Sequence, residues 1–419
     1  MRWIYKISIN LYHYLILLAS LWKPKAKQWI EGRKKWKSNL PQKNPTEKWL
    51  WFHCASLGEF EQGRPIIESI HTSFPQYKIL LTFFSPSGYE IRKNYPLADH
   101  IMYLPLDTPA NAKHFLEAFD FKLVVFVKYE LWICFLEALF SNEIPVILIS
   151  ARMGENSPFF KSIFSPLYHR VFEKLDMIFT QDAITAQNIS SFNPKARVQI
   201  SSDTRYDRVL DHAKRFEAVP EILPFTTSEV ILIAGSTWPR DEEVLFEAFQ
   251  QLREEFPIKI IIAPHEINYQ RINKWIKQFP EESLIFSHIQ SVKKKHRILW
   301  IDNIGKLSRI YAYGHIAYVG GAWKQGLHNI LEPSVFGLPV IFGPKYEKFP
   351  EAGELISMNC GFPVSSSQNL IDQLRKLMKD SELRERIKRK SMDYITQKSG
   401  ATQQIITHCI NQGYLKREV

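Results

Sequence analysis

Cysteine is scarce in this chain: Cys54, Cys134, Cys360 and Cys409 are the four in 419 residues, far apart and never spaced as CxxC. That spacing suggests neither a disulfide framework nor a zinc site, and it fits a reducing compartment. No short-period repeat runs through the sequence, and no glycine-rich turn ends in the GK[ST] of a Walker phosphate loop. Acidic residues are almost missing from the amino end. Residues 1–37 hold nine Lys or Arg against Glu31 alone, a net of +8, which leaves +3 of the chain's +11 for everything else. The basic excess is local, so no nucleic-acid partner is expected.

The basic residues surround "ISINLYHYLILLASLW", Ile7 to Trp22, sixteen residues without a formal charge. A perpendicular spanning helix needs roughly 20. No small-residue cleavage site follows "LASLW", and what comes next is strongly basic, so a cleaved signal peptide is not indicated. A buried core helix is one reading. The other is a membrane-inserted or in-plane anchor, favoured by Trp3, Tyr5 and Trp22 at the segment's ends and by the lysines after it. The basic run would then stay on the cytoplasmic side.

Elsewhere the chain is that of a globular protein, 45% hydrophobic and 23% charged, and too long for one ordinary core. "EKWLWFHCAS", "KILLTFFSP", "HIMYLPLD", "LVVFVKYE", "PVILISARM" and "MIFTQD" read as strands with amphipathic stretches between them. Near-continuous Val/Ile/Leu/Phe runs are what a parallel sheet covered on both faces requires. A polar, proline-bearing stretch, "VQISSDTRYDRVLDHAKRFEAVPEILPF", follows. The alternation then restarts with "EVILIAGST", "IKIIIAPHE", "RILWIDNIG", "IAYVGG" and "PVIFGP". The expectation is an α/β protein of two Rossmann-like, doubly wound domains with an amino-terminal membrane-anchor helix. Its parts are an anchor and basic segment over 1–37, an acceptor-binding domain over 38–215 and a nucleotide-sugar-binding domain over 216–419, whose last helix is expected to cross back to the first domain. Ligands of such sheets bind at the carboxyl ends of the strands, here in a cleft expected between the two domains.

Four strand-to-helix junctions concentrate polar residues. "SLGE" places Ser56 and Glu59 at capping-box spacing, so Glu59 either caps a helix or takes a proton. In "KYELW", Glu130 ends an apolar strand, where the helix dipole also favours an acid. "AGSTWPRDEE" offers Gly235, Ser236 and Thr237 to an anion at a helix start, or merely as a cap. In "YVGGAWKQGLHNILEP", Asn329 and Glu332 again have capping-box spacing, but a cap does not call for Gly320, Gly321, Gly326 and His328 as well. A glutamate one turn into a short helix can accept hydrogen bonds from a ribose diol.

In this order and on this spacing, "CASLGE", "KYELW", "AGSTWPRDEE" and "GGAWKQGLHNILEPSVFGLPVIFGP" resemble the 3-deoxy-D-manno-octulosonic acid (Kdo) transferases of lipopolysaccharide synthesis. The usual family forms are roughly SVGE, ETELW, AGSTHEGEE and GGHNPLEPA. The anchor and "EGRKKW" are similar too, so the resemblance covers nearly the whole chain. It implies a GT-B glycosyltransferase that moves Kdo from CMP-Kdo to a lipid A precursor, lipid IVA. The reaction would proceed with inversion, without cofactor or active-site metal, at the cytoplasmic face of the inner membrane. By the same resemblance Glu59 is the general base and Glu130 a second catalytic acid. Ser236 and Thr237 lie on the phosphate side, and His265, Gly320, Gly321, Gly326, His328, Asn329 and Glu332 bind the donor. Two departures stand out: Pro264 occupies the place of the arginine in the family's PRH, and Leu327 that of a glycine in GGHN. Lys128, Arg240, Lys324 and Lys345 are the candidates to replace that arginine.

The chemistry is consistent with these residue types. Inverting displacement at an anomeric carbon needs one base and a surrounding that stabilises a departing phosphate. The Asp-x-Asp pair often seen in metal-dependent transferases does not occur. The alternatives are a nucleotide-sugar 2-epimerase on the same scaffold, which needs no anchor, and an inactive membrane-bound scaffold, which has no use for Glu59.

Overall fold

The computed structural model describes residues 1–226 and 230–417. It divides into two compact units, Met1–Asp207 with the chain from Lys398 on, and Arg208–Gln397. In the first, α1 (Arg2–Ala19) and α2 (Pro24–Glu31) precede β1 (Lys48–Cys54), and α3 (Leu57–Ser73) follows it. The remaining strands are β2 (Tyr77–Phe83), β3 (His100–Tyr103), β4 (Phe121–Val127), β5 (Val146–Ala151), β6 (Met177–Thr180) and β7 (Val198–Ile200). They form one parallel sheet in the order β3-β2-β1-β4-β5-β6-β7. The connections reverse direction between β1 and β4, which is the switch point of a Rossmann-like sheet.

Central β1 shows why the apolar runs are continuous. Trp51, fully buried, packs on one face against Phe115, Phe121, Phe126 and Phe135 at ring distances of 4.9, 5.4, 5.5 and 5.8 Å. Leu50, Phe52 and Cys54 point to the other face, in a core with Ile66, Ile67 and Ile70 of α3. Ile405, Ile406 and Cys409 of the helix Ala401–Asn411 complete that core. Each such side chain stabilises the fold by roughly 1.5–3 kcal/mol when fully buried.

The polar stretch after "MIFTQD" has more regular structure than its polar, proline-bearing composition indicates. It contains β7 and the helix Thr204–Lys214, which buries Tyr206 and Val209. Just ahead of that helix, buried Asp203 accepts from Gln62 Nε2 (2.8 Å), Gln181 Nε2 (3.1 Å) and Arg205 Nε (3.0 Å). Asp207 accepts from the backbone and hydroxyl of Thr402 at 2.7 and 2.8 Å, tying in the last helix.

The amino-terminal segment buries only one edge. Tyr5 and Ile9 enter the core, and the Tyr5 hydroxyl donates to Asp107 Oδ2 at 2.6 Å. Trp3, Ile7, Leu11, Tyr14, Leu15, Leu17, Leu18, Leu21 and Trp22 stay exposed. A buried core helix does not describe this segment. Among the described residues no helix is long and apolar enough to cross a membrane.

The second unit repeats the plan with β8 (Ile231–Thr237), β9 (Lys259–Pro264), β10 (Ser283–Ile285), β11 (Ile298–Trp300), β12 (Ile316–Val319), β13 (Val340–Phe342) and β14 (Gly361–Pro363). The parallel order is β10-β11-β9-β8-β12-β13-β14, with its switch point between β8 and β12. Strands β10 and β14, three residues each and at the two sheet edges, do not announce themselves in sequence.

Candidate active site

In the first unit Glu59 and Glu130 follow the two strands that flank the switch point, β1 and β4. Ser56 is the N-cap residue of α3, yet its side chain accepts no backbone hydrogen bond there. Its hydroxyl donates instead to Glu59 Oε2, so the expected capping box is not closed. The hydroxyl hydrogen goes to the carboxylate, a charged and therefore strong acceptor. Glu59 is 8% exposed.

Glu130 sits in the turn after β4, where Lys128 adopts φ +71°. Its Oε2 accepts from Trp132 Nε1 at 3.1 Å and lies 3.5 Å from His53 Nε2. Burial raises the Cys54 thiol pKa well above its usual value, and Glu59 and Glu130 add to the rise electrostatically. Both carboxylates therefore lie within electrostatic range of the carboxyl end of β1.

In the second unit the turns after β8 and β12 interlock. Ser236 has φ +52° and Gly321 φ +95°. A Cβ on Gly320 would stand 2.4 Å from Ser236 O and 2.8 Å from Thr237 Cα, so only glycine permits this approach. Asp241 joins the two turns, accepting from Trp238 N (2.9 Å), Gly321 N (3.0 Å) and the Tyr318 hydroxyl (2.7 Å). Burial raises its pKa. Thr237 Oγ1 donates to buried Glu242 at 3.2 Å, and Glu242 also meets Arg271 Nε at 3.1 Å. The Thr237 hydroxyl is thus engaged, while among the described residues no hydrogen bond is made by the Ser236 hydroxyl.

Three rings stack beside these turns. His265 lies 4.8 Å from Trp238 and 4.4 Å from His328, tilted 25° to each. Trp238 Nε1 donates to His328 Nε2 at 2.9 Å, and burial, with the neighbouring His265, pushes the His328 pKa down to about 4. His328 is therefore neutral at pH 7. Gly326 has φ +104° and accepts the turn that leads back to Gly321, whose carbonyl takes its amide at 3.0 Å. Asn329 Oδ1 accepts from Leu331 N at 3.1 Å, and its Nδ2 donates to Glu332 Oε1 at 3.2 Å.

Among the candidate cations, Arg240 pairs with Glu243 at 3.0 Å and covers Trp323. Lys128 lies over Tyr129, in the first unit. Lys324 and Lys345 are held to the glycine turn by backbone bonds to Gly321 O and Ala322 O, at 3.3 and 2.9 Å. Sequence reasoning singled out none of His53, Trp132, Trp238 or Asp241 individually. The one available signal was a polar residue, His53, inside the apolar run of β1.

A family model described as 3-deoxy-D-manno-octulosonic-acid transferase (kdotransferase) matches residues 29–208. A curated relative named 3-deoxy-D-manno-octulosonic acid transferase from Haemophilus influenzae is 24% identical over 385 residues, covering 90% of this chain and 89% of its own. A relative of the same name from Aquifex aeolicus is 27% identical, covering 78% and 86%. Among solved structures, UDP-GlcNAc 2-epimerase from Neisseria meningitidis bound to UDP-GlcNAc superposes with a TM-score of 0.60 at 15% identity, covering 87% of this chain and all of its own. At that identity the likeness shows the fold alone.

Proposed function

We propose, from the premise that the domain spanning residues 29–208 belongs to the Kdo transferase family, that this chain is a glycosyltransferase moving Kdo from CMP-Kdo to a lipid A precursor. The observation that carries the reading is the pairing of Glu59 and Glu130 at one switch point with an interlocked glycine turn at the other. Glu59, held by Ser56, accepts the proton of the attacking hydroxyl as the new bond forms at the anomeric carbon on the face opposite the departing CMP. Glu130 is the second working carboxylate of that unit. In the second unit, the Ser236 hydroxyl, the stacked His265 and His328, and Lys324 or Lys345 receive the nucleotide's phosphate side. Glu332, oriented by Asn329, accepts from the ribose hydroxyls. A neutral His328 suits this surface, because its ring packs without carrying a buried charge.

A lipid acceptor gives α1 a purpose. Ile7, Leu11, Leu15 and Leu18 are spaced along one helical face, all are exposed, and the chain that follows is basic. A helix of this kind lies in the interface plane with its cationic neighbours on anionic headgroups, here at the cytoplasmic face of the inner membrane.

The test is CMP release from CMP-Kdo by the purified chain with and without lipid IVA. Release that requires the lipid supports the transferase. The epimerase reading has only fold likeness behind it, and inversion at C2 of a UDP-sugar without any lipid would replace the proposal by that reading.

A further inference from the structure

Beneath Glu130 lies a run of buried polar groups that the reaction as described does not use. Trp51 Nε1 donates to Thr82 Oγ1 at 2.7 Å, Thr82 Oγ1 lies 2.8 Å from His53 Nδ1, and the Thr82 hydroxyl reaches Phe52 O at 3.4 Å. On the other side of the ring, Trp132 Nε1 lies 3.1 Å from both His53 Nε2 and Glu130 Oε2. His53 is fully buried. An indole nitrogen can only donate, so Trp51 gives its hydrogen to Thr82 and Trp132 directs its own toward His53 Nε2 and Glu130 Oε2. With the Trp132 hydrogen shared by both acceptors, His53 Nε2 presents a lone pair and Nδ1 carries the hydrogen, which Thr82 accepts while giving its own to Phe52 O; with that hydrogen on Glu130 alone, Thr82 donates to Nδ1 and Nε2–H faces Glu130 Oε2 at 3.5 Å.

We propose that His53, as the Nδ1–H tautomer and together with Trp132, is a positioning residue for Glu130. The forked indole N–H is shared between His53 Nε2 and Glu130 Oε2, which pins that oxygen and leaves Oε1, without a hydrogen bond among the described residues, as the oxygen that works on substrate. The indole is itself held from behind, its ring stacked on Phe84 at 4.6 Å and 28°. The inference deepens the proposed transfer reaction and rests on Glu130 acting in it.

The experiment uses the full chain and three variants. His53→Asn can still donate to Thr82 from the Nδ1 position but has no acceptor where Nε2 stood. Trp132→Phe keeps a ring to stack on Phe84 and loses the N–H. Each is expected to lower kcat on the order of 10²-fold, the scale of a displaced catalytic group, with KM for CMP-Kdo unchanged because the donor groups lie in the other unit. The double variant is expected to be no worse than either single one, since both remove the same fork. Wild-type kcat in a folded single variant, or losses that multiply in the double, would overturn the proposal.

A second readout does not depend on turnover. In spectra of isotope-labelled histidine, the His53 ring, identified by its absence in His53→Asn, is expected as the Nδ1–H tautomer. An Nε2–H tautomer overturns the proposal even if the chain transfers Kdo. A wild-type chain that never releases CMP defeats the transferase reading, while the tautomer still decides the fork.

Discussion

Asp241→Ala tests the link between the two turns of the second unit. The carboxylate is 1% exposed and accepts three hydrogen bonds, from Trp238 N, Gly321 N and the Tyr318 hydroxyl. Bonds to a charged acceptor contribute about 1.5–3 kcal/mol each, and alanine leaves three donors, two of them buried, without that partner. Burial works in the opposite direction, as the raised pKa of Asp241 shows, so part of that loss is returned when the charge is removed. The net cost is expected at about 3–5 kcal/mol. Asp241→Asn can keep its carbonyl oxygen on the two amides, but its NH2 then faces the Tyr318 hydroxyl, which already accepts from Trp323 Nε1 at 2.9 Å. That change is expected to cost about 1–2 kcal/mol. Urea unfolding measures both, and calorimetric titration with CMP reports whether the turn at Gly320 keeps its shape. An alanine variant within about 1 kcal/mol of wild type, with unchanged CMP affinity, would refute the view that Asp241 holds the turns together.

Other consequences follow from single residues. His328 titrates at about 4 in the folded chain against 6.5 ordinarily, so the unfolded chain takes up its proton first as pH falls. Its contribution is present in full above about pH 6.5 and is lost between there and about pH 4, up to roughly 3 kcal/mol. His328→Phe should flatten that part of the stability profile, and an unchanged slope would count against the neutral, stacked histidine. On α1, changing Ile7, Leu11 and Leu15 together to serine should leave the melting temperature unchanged and reduce co-sedimentation with anionic vesicles at least tenfold, since each fully buried apolar side chain is worth roughly 1.5–3 kcal/mol. Undiminished vesicle binding would remove this face from the membrane. These substitutions are cleaner than deleting residues 1–22, which would also strip Tyr5 from Asp107.

How much of this is legible in the sequence depends on the kind of interaction. β1, β4, β5, β8 and β9 are continuous apolar runs because both faces of each sheet are covered, and that pattern needs no partner to be read. The helix Thr204–Lys214 buries little beyond Tyr206 and Val209, so its polar periodicity resembles that of a connection. The motif residues stand out because strand ends concentrate Gly, Ser and Glu locally. Side-chain pairs such as His53 with Trp132, or Asp241 with Tyr318, are joined only when distant strands become neighbours, and nothing in their spacing along the chain encodes that. Ser56 and Glu59 illustrate an intermediate case, in which the spacing of a capping box is right but the hydroxyl serves the carboxylate instead.

Glu59→Gln puts the central claim to its most direct test. The glutamine carbonyl can still accept from the Ser56 hydroxyl, and the start of α3 keeps its backbone bond from Phe60 N to Ser56 O at 3.0 Å, so folding and CMP-Kdo binding should survive. The amide cannot take the acceptor's proton. Lipid-dependent CMP release is expected to fall on the order of 10²–10⁴-fold. A folded, donor-binding variant that keeps more than about a tenth of wild-type turnover would contradict the assignment of Glu59 as the base.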